Sequence, residues 1–84
     1  MASLEERTAY VTALRTADIR DDAAFHELMR RGAELLGYSE MDVAEEFGVS
    51  RPTARRWLTG VNSPHYHVRK PMYEHLERLV TGHA

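Results

Sequence analysis

The stretch that decides the fold is "DVAEEFGVSRPTARRWLTG", Asp42–Gly60. Its first half, "DVAEEFG", carries three acids and no base, whereas "SRPTARRW" in its second half carries three arginines and no acid. Each half has the composition and apolar spacing of a short helix, and only "GVS" lies between them. The stretch therefore predicts two adjacent helices of opposite charge, joined by a tight turn.

The composition is that of one small globular domain. The chain has 84 residues, of which 43% are hydrophobic and 29% are charged, and it has no cysteine, which excludes disulfides and thiolate metal sites. The start, "MASLEERTAYV", has no apolar run suited to a signal peptide, and no stretch approaches the roughly 20 apolar residues that span a membrane. We therefore expect a single domain over residues 1–84, located in the cytoplasm and without a membrane partner.

Charge is distributed unevenly along the chain. Residues 1–49 hold five arginines and eleven acids, a net of −6, whereas residues 50–84 hold six bases and two acids, a net of +4. Such asymmetry indicates an electrostatic footprint on one part of the surface. Charge scatter in a small protein explains the asymmetry equally well, so charge alone does not decide between them.

The first two predicted helices precede the quoted stretch. Ser3 followed by Glu6 is a capping-box pattern, which predicts a helix to about residue 17 within an N-terminal segment 1–20. The apolar side of this helix is thin, so we expect it to pack on a surface rather than to fill a core. Asp21 or Asp22 caps the next helix, "AAFHELMRRGAELL" over residues 23–36, where Gly32 leaves room for close packing.

Residues 40–59 satisfy several independent requirements of a helix-turn-helix. Ala44 is small where the two helices cross, and Gly48 permits the positive φ that a tight turn needs. Ser50 caps the second helix, and Pro52 falls in its first turn, where no intrahelical N–H bond is lost. Trp57 is expected to anchor this helix to the core.

The last helix has two possible starts. Ser63–Pro64 resembles a cap followed by a first-turn proline, but Pro71 lies seven residues further on and would kink such a helix. We favour a turn across residues 64–69 and a regular helix over residues 70–80. Since no segment shows convincing strand alternation, the predicted fold is all-α, a small bundle of about five helices.

The segment "MDVAEEFGVSRPTARRWLTGVNSP", Met41–Pro64, resembles the DNA-binding domains of lambda-repressor and Cro-like (XRE-type) bacterial and phage regulators. With the flanking helices the resemblance spans roughly residues 23–80, and the earlier residues have no counterpart in the minimal domain. The resemblance implies a transcriptional regulator, most simply a repressor, whose recognition helix enters the major groove of duplex DNA. It also implies a homodimer on a palindromic operator, joined through either the N-terminal or the C-terminal helix.

The resemblance assigns DNA contacts to side chains on and beside the recognition helix. They are Ser50, Arg51, Pro52, Thr53, Arg55, Arg56, Thr59, Arg69 and Lys70. Arg51 and Arg56 are suited to guanine edges, and Arg55 to phosphate at the flank. Thr53 begins the recognition helix together with Arg51, where the early residues face base edges, and Pro52 offers only apolar contact. The DNA backbone is expected to contact Ser50, Thr59, Arg69 and Lys70.

Glu40 departs from the pattern of these relatives, which often carry glutamine there to contact a phosphate. Because a carboxylate repels the DNA backbone, we expect that contact to be absent or moved.

Metal and catalytic sites are not expected. His65, His67 and His75 are spaced loosely, and a structural zinc site usually needs four ligands, which no cysteine here can supply. The "HYH" segment is instead expected in a polar loop beside the DNA or in a subunit contact. No nucleophile–base arrangement or phosphate loop is present, so we expect no enzyme activity and no cofactor.

One alternative belongs to another functional class. The helix-turn-helix is then a protein-interaction module, in an antitoxin-like or phage accessory protein, and its acidic N-terminal half binds a protein partner. The net charge of −6 over residues 1–49 motivates this alternative.

Overall fold

The computed structural model describes residues 3–82, which form five α-helices. They are α1 (Leu4–Thr16), α2 (Asp22–Leu36), α3 (Glu40–Phe47), α4 (Arg51–Thr59) and α5 (Arg69–Thr81), with one 3₁₀ turn at Tyr66–Val68 before α5. No strand occurs within residues 3–82, which confirms the all-α class and the number of helices. None of the helices in this range is both long enough and apolar enough to cross a membrane.

The helix starts follow the capping residues of the sequence. The Glu6 backbone N–H donates to Ser3 Oγ at 3.1 Å, and the Ser3 N–H donates to Glu6 Oε1 at 3.4 Å. A second capping box joins Ser39 and Asp42 in the same reciprocal way. For α2 the cap is Asp21, whose Oδ1 accepts from the Ala24 N–H at 3.1 Å. Each cap satisfies N–H groups that the first turn of a helix leaves without a partner.

The start of α5 follows the second of the two possibilities. The chain leaves the helix-turn-helix through an irregular segment, makes the 3₁₀ turn, and enters α5 at Arg69. Pro71 therefore lies in the first turn of α5, where its missing N–H costs no intrahelical bond. The structure confirms the predicted order of a turn followed by a regular helix. The helix predicted over residues 70–80 is one residue longer at each end.

The five helices share one apolar core. Its buried members are Tyr10, Leu14, Phe25, Leu28, Met29, Ala33, Val43, Ala44, Ala54, Trp57, Tyr73, Leu76 and Val80. Phe25 of α2 meets Trp57 of α4 edge-on, with ring centroids 6.0 Å apart, and stacks on Tyr73 of α5 at 6.3 Å. Helix α2 therefore packs against both α4 and α5.

The expectation that α1 only covers a surface is wrong. Tyr10 is completely buried, and its hydroxyl donates to the Leu28 carbonyl oxygen at 2.6 Å. Burial raises the pKa of Tyr10 far above its ordinary value, so the phenol remains a donor. Its ring lies against Gly32, where an added Cβ would come within 3.0 Å of Tyr10 Cζ. A large aromatic residue facing a glycine therefore fills the core although the apolar stripe is thin.

Candidate nucleic-acid interface

The turn between α3 and α4 is built on Gly48. Its φ of 65° and ψ of 35° lie in the left-handed region, which glycine enters without a steric penalty. The next N–H, that of Val49, donates back to the Ala44 carbonyl oxygen at 3.0 Å and closes the end of α3. Ser50 then caps α4, with its Oγ accepting from the Thr53 N–H at 3.2 Å. The two helices are therefore joined by a short turn that hydrogen bonds hold at the end of α3 and at the start of α4.

Helix α4 is fixed to the body of the protein along one side. Trp57 is buried between Phe25 and Phe47, with ring centroids 6.0 and 6.2 Å away, which confirms its role as a core anchor. Ala54, one turn earlier, has no exposed surface. His26 Nδ1 lies 2.8 Å from the Trp57 carbonyl oxygen, which is near the end of α4 and has no donor within the helix. These contacts fix the rotation of α4 about its own axis.

The opposite side of α4 is exposed and basic. Its exposed residues are Arg51, Pro52, Arg55, Arg56 and Thr59. At about 100° per residue they cover an arc of about 140° of the helix surface. Helix α4 contains no acid, so this arc presents three arginines and no carboxylate of its own.

Two of the three hydroxyl groups on α4 and its N-cap already donate to neighbouring groups of the same segment. Ser50 Oγ donates to Thr53 Oγ1 at 2.9 Å, and Thr59 Oγ1 donates to the Arg55 carbonyl oxygen at 2.8 Å. Ser50 and Thr59 must therefore release an internal bond before either can donate to a phosphate. Thr53, which accepts from Ser50, keeps its own hydroxyl hydrogen free to donate, and its side chain is half-buried at the edge of the arc.

Glu40 occupies a position that the sequence did not predict. As the first residue of α3, it reaches across to α4, where Arg51 Nε donates to Glu40 Oε1 at 3.5 Å. Arg55 Nε lies 3.8 Å from the second carboxylate oxygen, Oε2. One carboxylate thus bridges two of the three arginines of α4. The residues that would reveal this bridge are 11 and 15 positions from Glu40, so no local pattern in the sequence marks it.

Arg69 is not on the surface, which corrects its expected contact with the DNA backbone. Only 4% of the residue is exposed. Its guanidinium donates to Asp22 Oδ1 at 2.6 Å and to the carbonyl oxygens of Ile19 (2.9 Å) and Pro64 (2.9 and 3.1 Å). A further bond goes to Ser63 Oγ at 3.2 Å. Arg69 therefore ties the α1–α2 loop to the segment before α5, and we leave it out of the proposed interface.

Lys70 and the histidines lie outside α4. Lys70 is exposed and borders a groove between α1 and α5. The rings of His65, Tyr66 and His67 pack closely on one another before α5, with ring centroids 4.4 to 4.6 Å apart. His75 lies apart from them, with Nε2 2.8 Å from Glu46 Oε1. Within residues 3–82 no group of three or more histidine or acidic side chains has the arrangement of a metal site.

Comparison with known families adds an independent observation. Residues 26–63 match the family model of the homeodomain-like domain. These residues form a helix-turn-helix. The matched segment contains most of α2 and all of α3 and α4. No curated protein and no solved structure matches the chain.

Proposed function

We propose that the protein is a sequence-specific regulator of transcription that places α4 in the major groove of duplex DNA. The observation that carries this proposal is the outward face of α4. Three arginines project from the second helix of a helix-turn-helix, and buried aromatic packing fixes the orientation of that helix. Specific recognition needs such a rigid element, because base edges are read only when donors and acceptors align.

The individual contacts follow from the positions of the side chains. Arg51 and Arg56 are proposed to read guanine O6 and N7, and Arg55 to contact phosphate at the flank of the groove. Pro52 and Thr53, in the first turn of α4, face the adjacent bases. Ser50 and Thr59 at the helix ends, together with Lys70 of α5, are proposed as phosphate contacts. Lys70 is the only member of this set outside the helix-turn-helix.

The finer class of regulator also belongs to the proposal. A helix following the helix-turn-helix and the text of Met41–Pro64 favour the lambda-repressor and Cro type, in which two protomers read a palindromic operator. One helix spans only a few base pairs, so a homodimer with half-sites about 34 Å apart would give the needed length of recognition. Repression by occluding polymerase in a bacterial cytoplasm or nucleoid is the simplest mechanism for such a protein.

The test is selection of duplex fragments by the purified protein at about 150 mM salt, followed by sequencing of the bound DNA. We expect an enriched inverted repeat. Replacing Arg51 or Arg56 by alanine should cost about 1–3 kcal/mol of binding free energy and relax base preference at one position. Arg7→Ala, in α1, is the matched control, because it removes a cation from a helix that does not pack against α4.

Two results would contradict this proposal. If the protein enriches no sequence and its binding disappears in moderate salt, specific recognition fails, and the acidic protein-interaction module becomes the better account. If Arg51→Ala and Arg56→Ala weaken binding equally on all sequences, the two arginines contact phosphate rather than bases.

A further inference from the structure

The bridge from Glu40 to Arg51 and Arg55 lies within the proposed DNA-binding face. The side chain of Glu40 is 32% exposed, against 63% for Arg51 and 71% for Arg55. Both arginines face Glu40 with Nε, at 3.5 and 3.8 Å. Their Nη atoms make no hydrogen bond within residues 3–82, so each guanidinium keeps part of its donor set for a ligand.

Stability of the fold does not explain this arrangement. Ion pairs between exposed side chains contribute little to folding, since water screens the charges and both side chains lose conformational freedom. The consequences are larger for a polyanion ligand. A carboxylate beside the arginines repels every nearby phosphate, and it competes with phosphate for the same guanidinium groups.

We infer that Glu40 is a specificity-determining residue, which restrains Arg51 and Arg55 from indiscriminate phosphate contact. This inference rests on the proposed binding of DNA by α4. Breaking the contacts between Glu40 and the two arginines costs the same free energy on every duplex. On the correct sequence the bidentate bond of Arg51 to a guanine edge offsets that cost, and it places Arg55 beside one flanking phosphate, whereas random DNA offers only phosphates that the carboxylate repels. Glu40 thereby widens the difference in affinity between the operator and other DNA.

The experiment compares Glu40→Gln with Glu45→Gln. Both substitutions remove one negative charge from α3, but Glu45 makes no ion pair among the described residues and is exposed. Dissociation constants are measured for each variant on the selected duplex and on a scrambled duplex of the same composition. Thermal unfolding of each variant checks that it is folded.

For Glu40→Gln we expect affinity for scrambled DNA to rise about three- to tenfold at low salt, with a smaller change on the selected duplex. The ratio of the two affinities therefore falls. Because one or two arginines become available to phosphate, the log–log salt slope on scrambled DNA should steepen by about 1 to 2. Glu45→Gln should leave the ratio within about twofold of wild type, since distant exposed charges are screened.

Two outcomes would overturn the inference, and they differ in whether the proposed function fails as well. If the wild-type protein binds the selected duplex, but Glu40→Gln and Glu45→Gln change both affinities by the same factor, Glu40 acts only through net charge. The proposed function then stands and the role of Glu40 does not. If the wild-type protein binds no duplex at any salt concentration, the proposed function fails and the role of Glu40 fails with it.

Discussion

Arg69 shows how one buried side chain can join segments that are distant in the sequence. Its guanidinium donates hydrogen bonds to the carbonyl oxygens of Ile19 and Pro64 and to the carboxylate of Asp22. The Cζ atom of Arg69 also lies 5.3 Å from the ring centroid of Phe25. Arg69→Met keeps an unbranched apolar stem but leaves these acceptors without their donor. We expect the free energy of unfolding to fall by about 2–4 kcal/mol, measured by urea denaturation.

The neighbouring residue supplies the control for Arg69. Lys70 is exposed, so Lys70→Met should change stability by no more than about 0.5 kcal/mol. Arg69→Lys should recover only part of the loss, since one ammonium cannot reproduce the planar set of donors. If Arg69→Met unfolded at the wild-type urea concentration and lost DNA affinity with a shallower salt dependence, a backbone contact on DNA would be the better assignment.

Gly32 is the second residue whose effect depends on one contact. Alanine in the middle of a helix is usually about 1 kcal/mol more favourable than glycine. Here a new methyl group would overlap the hydroxyl of Tyr10, and overpacking of this kind costs about 1–3 kcal/mol. We therefore expect Gly32→Ala to destabilise the protein in chemical denaturation.

Removing the hydroxyl tests the cause of that loss. Tyr10→Phe removes the hydroxyl oxygen that the new methyl group would overlap, so in this background Gly32→Ala should cost less than it does in the wild type. The double-mutant cycle isolates this coupling. A stabilising effect of Gly32→Ala in the wild-type background would show that α1 moves away freely, and would contradict the packing described for Tyr10.

Among the elements, α1 is the one whose role its sequence pattern misrepresents. Leu14 is 5% exposed and Leu4 is 79% exposed, although both are leucines of the same helix. Leu14→Ala should lower the free energy of unfolding by about 2–4 kcal/mol, because it leaves a cavity beneath α1. Leu4→Ala should change it by less than about 0.5 kcal/mol. Equal effects of the two substitutions in thermal unfolding would mean that α1 is not docked as described.

The elements that could be predicted are those whose signals are local. Ser3, Asp21, Ser39 and Ser50 each mark a helix start, because a cap acts on N–H groups two or three residues away. The depth at which α1 is buried depends on Tyr10 meeting Gly32, 22 positions later in the chain. Arg69 was misplaced for a similar reason, since its partners at positions 19 and 22 are 50 and 47 residues away. No periodicity within one helix encodes such meetings.

At the scale of the whole molecule, the acidic helix α3 and the basic helix α4 do not form two separate charged surfaces. The sequence predicted two adjacent helices of opposite charge, joined by a tight turn. In the structure one acid of α3, Glu40, reaches the basic face, while Glu46 pairs with His75 of α5. The acidic residues of α3 therefore contact at least two other helices, α4 and α5. Although the net charge of the chain is −2, the exposed face of α4 is basic, and one carboxylate lies beside two of its three arginines.

The number of protomers on the DNA can be tested through the salt dependence of binding. The proposed face offers four cations per protomer, namely Arg51, Arg55, Arg56 and Lys70. With Arg51 and Arg56 on guanine edges, Arg55 and Lys70 are the cations left to neutralise phosphates, so one protomer would give a log–log slope of about −1.8 and two protomers about −3.6. We expect a slope of about −3.6 on the selected duplex, together with two protomers per duplex in sedimentation of the complex. A slope of about −1.8 with one protomer per saturated duplex would contradict the dimer. It would leave a monomer that reads a single half-site through α4.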